Sequence, residues 1–165
     1  MSYNYGAPLN SVNDLKGRDS VDILARVIYD EAENQSWAGK QGVAAIVANR
    51  KKCTIGEFAD KNTVEAVVLH KNQFAGIVNS SSRLLKPNTS SQGWNDSLYI
   101  AMNSATQDNP IGKCLWFRSK TLYNSQVTYQ NGVEYFNLGG GAKKVIEKYT
   151  IGDHTFFNLD GYGSY

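Results

Sequence analysis

Val21-Asp22-Ile23-Leu24-Ala25-Arg26-Val27-Ile28-Tyr29-Asp30-Glu31-Ala32-Glu33 is the stretch that decides how the rest of the chain is read. Leu24, Val27, Ile28 and Glu31 recur at spacings of three and four, so they share one face of an amphipathic helix. Asp22, Arg26, Asp30 and Glu33 fall mostly on other faces. Asp19 or Ser20 can cap this helix, Asp22 sits favourably in its first turn, and the pattern carries it to Asn34. A carboxyl at the edge of an apolar stripe is costly to ionise, so its pKa should rise. A raised carboxyl is what a general acid needs near neutral pH. Periodicity also permits a plainer reading, in which Glu31 lays its stem on the core or pairs with an Arg or Lys.

Outward from this helix, Trp37 to Lys51 reads as a second one, apolar and rich in small residues, and a candidate for the buried central helix. Arg50, Lys51 and Lys52 lie at its C-terminus, where cations complement the helix dipole. Gly42 inside it costs about 1 kcal/mol against Ala and suggests close helix packing. Thr63 to His70 reads as a short third helix, and Asn79 to Gly93, with Pro87, as a long loop. Trp94 to Gln107 reads as a fourth helix stopped by Asn109-Pro110. After Pro110 the period changes. Lys113 to Arg118 looks like a strand. Val127 to Tyr129 and Val133 to Phe136 flank the turn signal Asn131-Gly132, and Val145 to Thr150 and His154 to Asn158 flank Gly152-Asp153. Helices first and strands second predict an α+β fold. Residues 1–18, with Gly6, Pro8 and Gly17, read as an N-terminal arm, and residues 19–165 as one domain.

Composition narrows the partners. At 165 residues, 41% hydrophobic and 19% charged, the chain suits one folded domain. With a net charge of +2 and no Lys/Arg run beyond Arg50-Lys51-Lys52, a nucleic-acid partner is not expected. No apolar run approaches membrane-spanning length, so no membrane span is expected. The polar start Met1-Ser2-Tyr3-Asn4-Tyr5-Gly6 carries no secretory signal pattern. Cys53 and Cys114 are too few for a disulfide framework, though one bond is left open. His70 and His154 are far apart in sequence, so neither a metal nor another cofactor is expected. Tyr is over-used, and Tyr and Trp can both stack on sugars and hydrogen-bond to them, although core filling explains most of them.

Leu24 to Glu33, a short polar turn to Gly39, and then Gln41-Gly42-Val43-Ala44-Ala45-Ile46-Val47-Ala48-Asn49-Arg50 together resemble the signature of the SleB/CwlJ-type cell-wall hydrolases, the spore-cortex-lytic enzymes and their phage and bacterial relatives. Asn72-Gln73-Phe74, Leu115-Trp116-Phe117 and Ile151-Gly152-Asp153-His154-Thr155-Phe156-Phe157 follow in the family's order. The resemblance implies a small lysozyme-like α+β domain acting on the glycan strands of peptidoglycan, with Glu31 as catalytic acid/base. It implies lytic transglycosylation between N-acetylmuramic acid and N-acetylglucosamine, giving 1,6-anhydro-muramoyl ends. An internal hydroxyl nucleophile needs no second carboxylate, whereas ordinary glycoside hydrolysis uses two. Asp30 and Glu33 are accordingly expected to be solvated helix residues.

Four residues are candidates for substrate binding. Gln73 and Phe74 match the family's Gln-Phe pair; Gln73 can bond an acetamido group, and core packing is the alternative for Phe74. Tyr29 neighbours Glu31. Trp116 and Phe117 point to opposite sides of a strand, one core and one sugar platform, with Trp116 the candidate platform. His154 is expected to be structural, Arg26 and Arg50 to form ion pairs, and Asn49 to bond at a helix end. Asn34 stands where relatives commonly carry a Gly-rich turn, which leaves open cortex, with its muramic-δ-lactam, against vegetative wall. A spore coat or cortex and a phage virion or host cytoplasm before lysis are both compatible settings. The rival readings are a water-using muramidase and a non-catalytic glycan-binding or virion protein of the same fold.

Overall fold

The computed structural model describes residues 2–165; Met1, the first residue of the expected arm, lies outside the described residues. The helices are α1 (Ser20–Ala32), α2 (Trp37–Lys52), α3 (Val64–Val68), α4 (Ala75–Val78), α5 (Ser82–Leu85), α6 (Gln92–Met102) and α7 (Lys120–Gln126). The strands are β1 (Trp116–Ser119), β2 (Thr128–Gln130), β3 (Val133–Asn137), β4 (Ala142–Ile151) and β5 (His154–Leu159). The expected α+β layout holds, with α7 set among the strands.

α1 begins where Asp19 accepts from the Val21 N–H at 2.8 Å, relieving one orphan donor of the first turn. It stops at Ala32, short of Asn34, because Lys40 reaches back from α2. The Lys40 ammonium donates to the carbonyls of Glu33 (2.9 Å) and Gln35 (2.6 Å) and so caps the helix end. Every residue from Asp22 to Tyr29 is buried, as α1 packs against α2, α3, α5 and α6. The enclosed central role expected of α2 is therefore shared by α1.

Asp22 and Arg26 do not face solvent, contrary to their place off the apolar stripe. Both side chains are fully buried, with Arg26 Nε 2.7 Å from Asp22 Oδ2. Arg18 Nε donates to the same oxygen (2.6 Å) and the Gly6 N–H to Oδ1 (2.7 Å). Arg26 spends its remaining donors on the carbonyls of Leu84 and Leu85 (both 3.0 Å) and Ala7 (2.6 Å). This one pair fastens the N-terminal stretch and the end of α5 to α1. Leu9 and Leu15 complete the attachment by entering the helical core.

The five strands form one antiparallel sheet, in the order β1-β5-β4-β3-β2. Asn131 and Gly132 turn the β2–β3 hairpin with φ of 52° and 77°, the left-handed pair that a two-residue turn demands. One face of β1 and β5 sends Phe117 and Phe156 toward the helices. The other face carries Trp116, Phe157 and Leu159 into a second core with Phe58, Tyr123 and Phe136. Gly42 has its explanation here. The Phe156 ring occupies its side-chain space, 2.6 Å from where a Cβ would stand, so the close approach is to the sheet and not to another helix. Cys53 and Cys114 are separate buried thiols.

α4, α5 and α7 lie where no helix was expected, α5 within the expected Asn79–Gly93 loop. α6 starts at Gln92 and ends at Met102, with a 3-10 turn at Ser104–Thr106 finishing the segment.

Two stability outcomes follow. Asp22→Ala leaves the Arg26 guanidinium buried and unpaired, and should cost about 3–5 kcal/mol, read as a lowered urea midpoint. Gly42→Ala should destabilise by about 1–3 kcal/mol through overpacking against Phe156, despite the better helix propensity of Ala, in the same urea titration.

Candidate active site

Glu31 sits one residue before the end of α1 and opens into a cleft of about 560 Å³. The segment after α3 supplies Asn72 and Gln73; α4 and its end supply Ala75, Val78 and Asn79. From the sheet side come Phe117, Arg118 and Ser119 of β1, Leu122 of α7 and His154 of β5. The cleft thus lies where the helical body meets the sheet at its edge strand.

Burial, reinforced by the adjacent Asp30 charge, pushes the Glu31 carboxyl up to about 7 against the pull of Arg83 and Arg50. Near neutrality it is therefore divided between acid and carboxylate, the state that serves both directions of proton transfer. Among the described residues it is the one Asp or Glu lining the cleft.

Asp30 is not the solvated residue expected. Its side chain is 7% exposed, and it accepts from Ser81 Oγ at 2.5 Å with Arg83 Nε at 3.7 Å. Its carboxylate fills the space where Gly76 would carry a Cβ. Asp30 therefore anchors α4, a wall of the cleft, while its charge acts on Glu31. Glu33, also expected to be solvated, takes the Tyr29 hydroxyl (3.2 Å) and Arg83 Nη1 (3.4 Å).

Arg50 lies sealed behind the site. Its Nε donates to the Leu115 carbonyl at 2.8 Å, and its guanidinium carbon stands 5.2 Å over Phe74 and 5.5 Å over Phe58. Burial pulls its pKa down to about 10, partly offset by Glu57 and Glu31. Asn49, one residue earlier, bonds the carbonyls of Gly112 and Cys114 (both 2.9 Å), fixing α2 to the approach of β1. Burial also lowers the His154 pKa, which keeps the imidazole neutral at pH 7. Its Nδ1 is buried without a protein partner.

The structure brings Glu31 and Gln73 together in the cleft and places the other three candidates elsewhere. Phe74, 2% exposed, packs under Arg50. Tyr29, 3% exposed, packs edge-on to Trp94 at 5.8 Å. Trp116, also 3% exposed, belongs to the second core and borders a separate hollow with Glu57 and Tyr162. Of the strand pair it is Phe117 that reaches the cleft, its ring 5.5 Å from His154 and edge-on to it. His154, Arg118, Asn72 and Asn79 were not among the candidates. The His154 block was visible as a motif, and Asn72 stands next to Gln73. Arg118 carried no local signal.

The cell-wall hydrolase family model matches residues 34–157. The chain belongs to this family. The match begins just past Glu31 and does not include it. No curated protein matches the chain. Among solved structures it is similar to the catalytic domain of the germination-specific lytic transglycosylase SleB from Bacillus anthracis, at 17% identity over 87% of this chain and 98% of that one, with a TM-score of 0.54. It is also similar to the catalytic domain of the Bacillus cereus SleB protein, at 16% identity over 96% and 100%, with a TM-score of 0.53. At these identities the likeness shows the fold. Family and fold together make the chain a peptidoglycan-cleaving enzyme with a lysozyme-like α+β domain.

Removing the neighbouring charge should retune the acid. Asp30→Asn takes away a group that raises the Glu31 pKa, so Glu31 stays protonated only to lower pH. The alkaline limb of the pH–rate profile should move toward acid relative to the parent enzyme, as measured by turbidity loss of wall suspensions across pH 5–9.

Proposed function

We propose that this cell-wall hydrolase cuts peptidoglycan glycan strands as a lytic transglycosylase, with Glu31 as its one acid/base. The supporting observation is that the one Asp or Glu lining the cleft among the described residues is held by burial at a pKa of about 7. As acid, Glu31 gives its proton to the oxygen linking N-acetylmuramic acid to N-acetylglucosamine, and the C1–O bond breaks. As carboxylate, it then takes the proton of the muramoyl 6-hydroxyl while that oxygen closes on C1. The products are a 1,6-anhydro-muramoyl end and a free N-acetylglucosamine 4-hydroxyl. Glu31 ends protonated, ready for the next strand.

Activation of water would ordinarily call on a second carboxylate facing the bond. Asp30 is the nearest in sequence, and it is committed to Ser81, Arg83 and the space above Gly76. The ring closure supplies its own nucleophile, which fits a cleft with one carboxyl. In this reading Gln73, which lines the cleft, bonds an acetamido group, and the Phe117 ring gives an apolar contact to a sugar face. The germination role of the Bacillus anthracis neighbour belongs to that protein; for this chain, spore cortex and phage-borne lysis are separated by the strand it prefers.

Glu31→Gln should keep the fold by circular dichroism and lower glycan cleavage by about 10²–10⁴-fold. Mass spectrometry of muropeptides from the parent enzyme should show anhydro-muramoyl ends. Reducible ends from the parent enzyme would overturn the transglycosylase chemistry, and an unchanged rate in the variant would remove Glu31 from its role.

A further inference from the structure

Arg118 is the one Lys or Arg among the described residues lining the cleft, and it has no counter-charge. Its Nη1 donates to the Phe117 carbonyl at 2.9 Å, and its guanidinium carbon stands 5.8 Å over the Phe136 ring. The group is therefore held in place. Its Nε and Nη2 bond no acceptor among the described residues and are not sealed from solvent. Of the other arginines, Arg50 also has no ion pair among the described residues, but it is sealed from solvent, and the rest have acidic partners. Arg18 and Arg26 share Asp22, and Arg83 lies between Asp30 and Glu33. Burial lowers the Arg118 pKa with no acidic neighbour lifting it back. A half-buried guanidinium bears a desolvation cost that an anion offsets. A planar fork with two free donors suits a carboxylate.

The anionic groups of a peptidoglycan strand hang from the lactyl arm on O3 of the muramoyl residue. The arm ends in a free carboxylate, or it continues into a peptide that carries carboxylates. N-acetylglucosamine has none. When the lactyl carboxyl closes on the amine of its own sugar, the resulting δ-lactam is neutral.

On the glycan reading above, we propose that Arg118 binds a carboxylate on the lactyl arm of a muramoyl residue in the cleft, so the enzyme selects strands with charged arms over lactam strands. The shared chemistry is a carboxylate; its source is the free lactyl group or the peptide stem. The bond to Phe117 and the Phe136 ring aim the group, while Nε and Nη2 make the contact.

The test uses three strand preparations: intact peptide stems, stems removed by an amidase to leave free lactyl carboxylates, and strands rich in muramic-δ-lactam. Muropeptide release gives kcat and KM for the parent enzyme, Arg118→Gln and Arg118→Lys on each. The parent enzyme should favour at least one charged strand over the lactam strand by about tenfold or more, and which charged strand is favoured identifies the source. Arg118→Gln should lose most of that preference, chiefly through KM on charged strands, and Arg118→Lys should keep part of it. The ratio within one variant does not depend on how much of it is folded. Equal cleavage of lactam and charged strands by the parent enzyme overturns the proposal, as does an equal loss on all three strands in Arg118→Gln. Cleavage that Glu31→Gln abolishes preserves the glycan reading in either case, whereas no cleavage of any strand by the parent enzyme overturns both.

Discussion

The pairing of Asp22 with Arg26 lets α1 be enclosed on nearly every side. A helix carrying two charges in its first turns would ordinarily keep one face to water. Here each charge satisfies the other, and the leftover donors and acceptors reach the backbone of Gly6, Ala7, Leu84 and Leu85. Such a pair is not by itself a large source of stability, because desolvation cancels most of the attraction. Its effect is one of placement. With α1 held from the N-terminal stretch on one side and α5 on another, Glu31 emerges at a fixed point beside α4 and the edge strand β1.

The electrostatics of the cleft follow from that placement. Glu31 is desolvated by the body it projects from and repelled by Asp30, and it is drawn down by Arg83 and by the sealed Arg50. These opposing influences, with burial the largest, leave it near 7. The elements contributing to this balance are the same ones that wall the cleft. Arg50 is fastened to the lead into β1, and Asp30 to α4.

The legible parts of the fold were those with local signals. The period of α1, the small apolar run of α2 and the Asn131-Gly132 turn each carry their structure within a few residues. Glu31 was readable because its position on the apolar stripe is itself periodic. Asp22 and Arg26 were not, since a carboxylate and a guanidinium at i and i+4 look the same on a solvated face as in a core. α4 and α5 are too short for any period to show, and α7 contains Leu122-Tyr123, which reads equally as strand. Alternation along β1 separated Trp116 from Phe117 but could not say which side held the cleft. Arg118 and His154 join the cleft of Glu31 only through sheet pairing distant in sequence, and the buried, unpartnered His154 Nδ1 has no sequence counterpart at all.

Asp30 and Gly76 divide one volume between them. The carboxylate stands where any side chain at 76 would have to go, and it can stand there only because 76 has none. A side chain at 76 needs the Asp30 carboxylate moved or shortened. In the evolutionary record of this fold the two sites should drift as a couple, a small residue at the first licensing a larger one at the second.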